Sequence, residues 1–100
     1  MDKSRILELI NNHRAFFATG TTKDLSFRLE QLNILRKAIS DNEPAIFDAL
    51  KMDLNKPAYE AYGGDTALVI NEIDYALKHV RSWAKPKKAK SSLWSVKFYI

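Results

Sequence analysis

Apolar residues recur along this chain at helical intervals, in four separate runs. Ile6, Ile10, His13 and Phe17 fall at i, i+4, i+7 and i+11, which lines one face of a first helix. Ser4 or Asp2 can cap its start, and Gly20 suits the left-handed residue just past its end. Leu25, Leu29, Leu32, Leu35 and Ile39 make the stripe of a second helix, entered through Thr21-Thr22-Lys23-Asp24, which resembles a capping box with Asp in place of Glu. A third begins at "SDNEP", where Asn42 can cap and Pro44 sits in the first turn, where its missing N–H has no partner to lose. Its short apolar face is Ile46, Leu50 and Leu54. After Gly63-Gly64 comes the longest run, Val69, Ile73, Ala76, Val80 and Trp83, which Pro86 stops.

Beyond Pro86 the period changes. Lysines and serines form a spacer, then "LWSVKFYI" supplies aromatic and branched residues that favour a strand. The sequence offers this strand no partner, and an unpaired strand leaves its backbone groups unsatisfied. The pattern therefore predicts residues 1–86 as a helical segment and residues 87–100 as a basic spacer with the start of a truncated strand. The predicted fold class is mainly α, three to four helices followed by one strand-like tail.

Composition adjusts this picture in three places. A chain of 100 residues, 46% hydrophobic and 28% charged, is long enough to bury a modest core and is not a disordered composition. Cysteine is absent, which removes disulfides, thiolate metal sites and a cysteine nucleophile from these residues. Neither the start, "MDKSRILELINNHR", nor any later run has the apolar length of a leader or a membrane span, so the expectation is a soluble, cytoplasmic protein. The net charge of +4 is lopsided: Arg81, Lys85, Lys87, Lys88, Lys90 and Lys97 give +6 with no acid among them, leaving the first eighty residues at −2.

Candidate chemistry is sparse. A phosphate cradle needs glycines that let backbone N–H groups approach oxygen, and Gly20, Gly63 and Gly64 stand in no such spacing. His13 and His79 lack a His or carboxylate at i+3 or i+4 and read as surface or interface residues, not ligands. Glu72 and Asp74, two apart, point to different sides of their helix and read as solvating it. In "KPAYEAY", Glu60 between Tyr59 and Tyr62 reads as a polar helix start with wet hydroxyls. Lysines beside Trp83, Trp94, Phe98 and Tyr99 could meet phosphates and bases, but so short a run is more often a solvated linker. No catalytic, cofactor-binding or metal-binding residue is assigned.

Three longer stretches carry a resemblance: "HRAFFATGTTKDLSFRLEQLNIL", "ALKMDLNKPAYEAY" and "VINEIDYALKHVRSW". Together they resemble the amino-terminal part of an NAD(P)-dependent aldehyde dehydrogenase, in the branch with the class 3 and fatty aldehyde enzymes. The matching positions are Phe17, Gly20, Thr22, Arg28, Leu32, Ala49, Leu50, Asp53, Leu54, Lys56, Glu72, Ile73 and Trp83. The likeness spans nearly all of the chain through Pro86; Gly63-Gly64 departs from the more acidic, helical stretch of relatives.

The resemblance implies the amino-terminal part of that family's α/β fold, with helices forming a layer against the cofactor-binding domain. Such enzymes attack the aldehyde with a cysteine thiolate, pass hydride to a nicotinamide and hydrolyse the thioester with a glutamate base. No such residue can be assigned here. The expectation is an amino-terminal fragment of an aldehyde-oxidising enzyme, not competent alone, with NAD or NADP implied for the full-length family and none in this chain. Expected partners are the rest of such a chain and, through self-association, other copies. The alternatives are a stand-alone helical interaction module and, less favoured, a small basic nucleic-acid binder.

Overall fold

Asp2 opens the first helix: its carboxylate accepts from the Arg5 backbone N–H at 2.8 Å, satisfying one of the donors that a helix start leaves free. The structure, a computed structural model, describes residues 2–90 and the backbone of residues 97–99. Helix α1 (Lys3–Ala18) ends where Gly20 turns left-handed, with φ of 77°. A short 3₁₀ turn, Thr21–Lys23, follows, and then α2 (Leu25–Asp41) begins. The expected capping box is not what starts α2. Asp24 is itself the cap, and its carboxylate accepts from the Ser26 N–H.

Asn42 also differs from expectation. Its side chain does not cap the helix that follows; the amide donates to the Ala38 carbonyl at 2.7 Å and so closes the end of α2. Helix α3 (Glu43–Leu54) carries Pro44 in its first turn and stops at Asn55, which takes the left-handed conformation (φ 53°) that asparagine tolerates. Lys56 and Pro57 lead into α4 (Ala58–Ala61), a π turn (Tyr62–Thr66) and α5 (Ala67–Trp83).

The backbone stays right-handed helical from Tyr62 through Ala67, so the glycine pair neither breaks nor reverses the chain. The π turn absorbs it. Lys56 Nζ reaches Asp65 Oδ2 at 2.8 Å, tying the entrance of α4 to the π turn. Lys56 is held above the ordinary lysine range, chiefly by that hydrogen bond.

The lysine spacer is partly a strand: β1 (Lys88–Lys90) pairs antiparallel with β2 (Lys97–Tyr99), Ala89 opposite Phe98. The expectation of an unpartnered strand is thereby corrected; three residues of the basic segment supply the missing ladder. The Leu93–Val96 part of the predicted strand, with Trp94, lies outside the described residues.

Burial is slight. Ala61 and Ile73 are the buried apolar residues among those described, less than the modest core that the length allows. The radius of gyration is 19.8 Å, where a compact chain of this length has about 13 Å. The accessible surface is 8441 Å², against roughly 5,800 Å² for a compact chain of this mass.

Candidate interaction surface on the α2–α5 pair

Helices α2 and α5 run antiparallel, with Phe27 and Leu32 near Val80 and Ala76, and Ile39 near Val69 and Thr66. The two stripes expected from the sequence meet here. Ile73, 6% exposed, is the buried centre of the contact. On either side of it the helix turns about 100° per residue, which sends Glu72 and Asp74 to opposite flanks.

On the Asp74 flank the pair is clamped by a fork. Arg36 Nε donates to Asp74 Oδ1 at 2.6 Å and Arg36 Nη2 to Asp74 Oδ2 at 3.1 Å. Two parallel bonds to one carboxylate fix the relative height of the helices. The hydrogen bond from Arg36 is the main reason that the Asp74 carboxyl lies below the ordinary aspartate range, and the Arg36 guanidinium is raised in turn. Asp74 therefore does more than solvate its helix. Its partner lies 38 positions earlier, and no local spacing rule connects them.

On the Glu72 flank the described residues supply no clamp and no cover. Three apolar hollows join into one groove: Phe27, Leu32, Leu35 and Val80 at one end, Ile73 and Ala76 in the middle, and Ile39, Ile46, Leu68 and Val69 at the other. Leu68 is 56% exposed, and Val69 and Leu35 are also open to solvent. Arg28 rims the first end and Asp65 the last. Thr66, 3% exposed, lines the far end, and its hydroxyl finds no hydrogen-bond partner among the described residues.

Further round α5 the exposed Tyr75 and Trp83 and the half-buried His79 between them form a ladder one turn apart. Ring centroids are 4.1 Å apart for Tyr75–His79 and 5.9 Å for His79–Trp83. His79 Nδ1 donates to the Tyr75 carbonyl at 2.8 Å. His79 is thus packed between two aromatic rings of its own helix. Tyr59 and Tyr62 are exposed beside Glu60. No cluster of metal-ligating side chains occurs among the described residues, and no helix among them is long and apolar enough to cross a membrane.

The arrangement does not fit a dinucleotide. Gly20 is the left-handed end of a helix, Gly63 and Gly64 lie inside a π turn, and the sheet among the described residues is a two-stranded antiparallel ribbon without a following helix. What the geometry offers is a helical face, polar on one flank and apolar on the other, suited to packing against another polypeptide surface.

The comparisons place this helical chain among aldehyde dehydrogenases. No family model matches the chain. The 4,4'-diaponeurosporen-aldehyde dehydrogenase of Staphylococcus aureus is 42% identical over 81 residues, which is 81% of this chain and 18% of that protein. The dimeric NADP-preferring aldehyde dehydrogenase of Canis lupus familiaris is 38% identical over 81 residues, with the same coverage of 81% and 18%. The aldehyde dehydrogenase family 3 member H1 of Arabidopsis thaliana is 38% identical over 85 residues, covering 85% of this chain and 18% of its own. The chain belongs to the aldehyde dehydrogenase family and matches the amino-terminal segment of its class 3 branch. It spans about 18% of the length of these relatives.

Proposed function

We propose that these residues are the helical covering layer of an NAD- or NADP-dependent aldehyde dehydrogenase that oxidises aldehydes to carboxylic acids, and that the chain has no such activity alone. The observation that carries this reading is the open apolar groove on the α2–α5 pair, placed in a chain of this family. A pair of helices clamped on one flank and uncovered on the other is built to be covered. The remainder of an aldehyde dehydrogenase chain is the natural cover. Two relatives, from Canis lupus familiaris and Mus musculus, are named as NADP-preferring and dimeric, which favours a nicotinamide cofactor bound outside these residues.

Within this reading, the helical segment is residues 1–86 and the tail is residues 87–100. The end of α5 at Trp83 and the start of β1 at Lys88 favour that division. The compartment is the cytoplasm, and the chain on its own self-associates.

Grafting tests the reading. The matched segment of the Staphylococcus aureus relative is replaced by the corresponding residues of this chain, and aldehyde-dependent NADH or NADPH formation is followed. We expect a folded, active chimera, and no turnover above a heat-killed blank for the 100-residue chain. A chimera that folds without activity, or does not fold, overturns the covering-layer reading. Turnover by the chain alone overturns the expectation that it is inactive.

A further inference from the structure

The clamped flank of the α2–α5 pair holds a hollow of its own, separate from the groove. The end of α2, the start of α3, the π turn and the first turns of α5 close round about 280 Å³ of space. That is slightly less than the roughly 300–1,000 Å³ of sites for drug-sized ligands, so an occupant must be small. Unlike the groove, it is walled mainly by polar side chains: Arg36 and Ser40 from α2, Glu43 from α3, Tyr62 from the π turn and Asn71 from α5.

The charges in it do not cancel. Arg36 spends Nε and Nη2 on Asp74, so its positive charge is already met. Glu43 is half-buried, yet no hydrogen bond or ion pair reaches its carboxylate among the described residues. The other carboxylates without a bonded partner there, Glu30, Asp48, Asp53, Glu60 and Glu72, are all exposed to water. The place of Glu43 in the first turn of α3 suits the helix dipole, but that field supplies no bonded donor. A carboxylate drawn partly out of water gains most from a cation that brings hydrogen bonds with it.

The neighbours select which cation. An ammonium carries three donors, and the hollow can meet them with the Glu43 carboxylate, the Ser40 hydroxyl and the Asn71 amide oxygen. A divalent metal ion would need further ligating side chains, and no such group occurs among the described residues. Ala67 and Ile70, both half-buried, offer apolar contact to a methylene stem. The Tyr62 ring adds a face that attracts cations.

We propose that this hollow is a binding site for a primary alkylammonium group, with its nitrogen on Glu43, Ser40 and Asn71 and its stem on Ile70 and Ala67. A free amine and the end of a lysine side chain share that chemistry. The site lies on the flank opposite the groove and is independent of what covers the groove.

Amide chemical shifts of the whole isotope-labelled chain test the site, titrated with n-butylammonium chloride and, separately, with lysine capped at both backbone ends. We expect saturable shifts confined to residues 40–43, 62 and 67–71. Sodium butanoate, which keeps a short apolar stem and reverses the charge, should give none at the same concentrations. Glu43→Gln keeps the shape and removes the charge, and should weaken binding by at least about tenfold. Glu72→Gln, the same change on the other flank, should leave binding unaltered. Tighter binding of n-butylammonium marks a free amine as the occupant, and tighter binding of capped lysine marks a lysine side chain. If Glu43→Gln loses its helical circular dichroism, Asn71→Ala takes its place under the same criterion. Shifts that do not saturate, that map elsewhere, or that butanoate reproduces overturn the site, as does a folded Glu43→Gln chain that binds like the parent.

Discussion

Helices α1 and α5 carry nearly the same apolar rhythm and meet opposite fates. In α5, Ile73 is 6% exposed, flanked by Asp74 in a fork with Arg36. In α1, Ile10 is 40% and Phe17 66% exposed, and the helix has no buried residue. The contact that anchors its far end is Phe16 on Phe27, with ring centroids 6.1 Å apart. Periodicity states which face of a helix is apolar. It says nothing of whether a partner covers that face, and in α1 none of the described residues buries it.

The largest effect expected from this contrast is at Ile73. Ile73→Ala removes buried methyl groups and leaves a cavity where α2 and α5 meet, which costs about 2–5 kcal/mol. Ile10→Ala deletes the same atoms from an exposed face and should change stability by under about 0.5 kcal/mol. Denaturant melts of both variants at one fixed chain concentration compare them. Equal effects would mean that α1 is packed as firmly as α5.

That difference also marks what the sequence could tell. The four apolar stripes, Gly20 as a helix end and the family were legible, because each depends on local spacing or on ordered motifs. The Arg36–Asp74 fork was not, since its two ends are linked only by how the helices pack. Asn42 was read as opening α3 and instead closes α2. An asparagine between two abutting helices can serve either, and local sequence does not rank them. The strand at Lys88–Lys90 was hidden by its lysines, which suit solvent better than a sheet and are tolerated in a short, exposed ribbon. The groove itself was visible only as surplus: Leu68 fell off the main stripe of α5, a sign of a helix apolar on more than one side.

A smaller effect, of opposite sign, is expected at Thr66. Its hydroxyl is buried without a partner among the described residues, and a polar group so placed is a standing cost. Thr66→Val keeps the shape and removes the orphan, so the midpoint of unfolding should rise, by about 1 kcal/mol in free energy. An unchanged or lowered midpoint would show that the hydroxyl has a partner in solution.

The glycines of the π turn extend the comparison within the α4–α5 segment. A Cβ at Gly63 or Gly64 meets nothing within 4 Å, and neither residue has a positive φ. Each glycine there only adds freedom to the unfolded chain. Gly63→Ala should stabilise by about 0.5–1 kcal/mol, read as a higher melting temperature with more helical signal. A loss would mean that the π turn needs the glycine for a reason other than space.

The smallest effect belongs to the exposed fork on α5, and acid reveals it best. The Asp74 carboxyl is lowered in the folded chain, chiefly by its hydrogen bond from Arg36; desolvation opposes this, and the guanidinium charge adds a smaller lowering. The unfolded chain therefore takes up this proton first as pH falls. The contribution is fully present above the ordinary aspartate range, about pH 3.9, and is lost as pH drops through the lower folded value. Arg36 stays charged throughout, so the loss is the carboxylate's alone. Both groups are partly open to water, where screening keeps the gain small. In Asp74→Asn, unfolding followed from neutral pH to about pH 2 should start from a lower midpoint and fall less steeply than in the parent. The same comparison at high salt should shrink the gap between the two curves, because exposed charges are screened within about 10 Å at 0.1 M salt. Parallel curves at both salt concentrations would place the acid sensitivity elsewhere and leave Ile73 as the sole anchor of the α2–α5 contact.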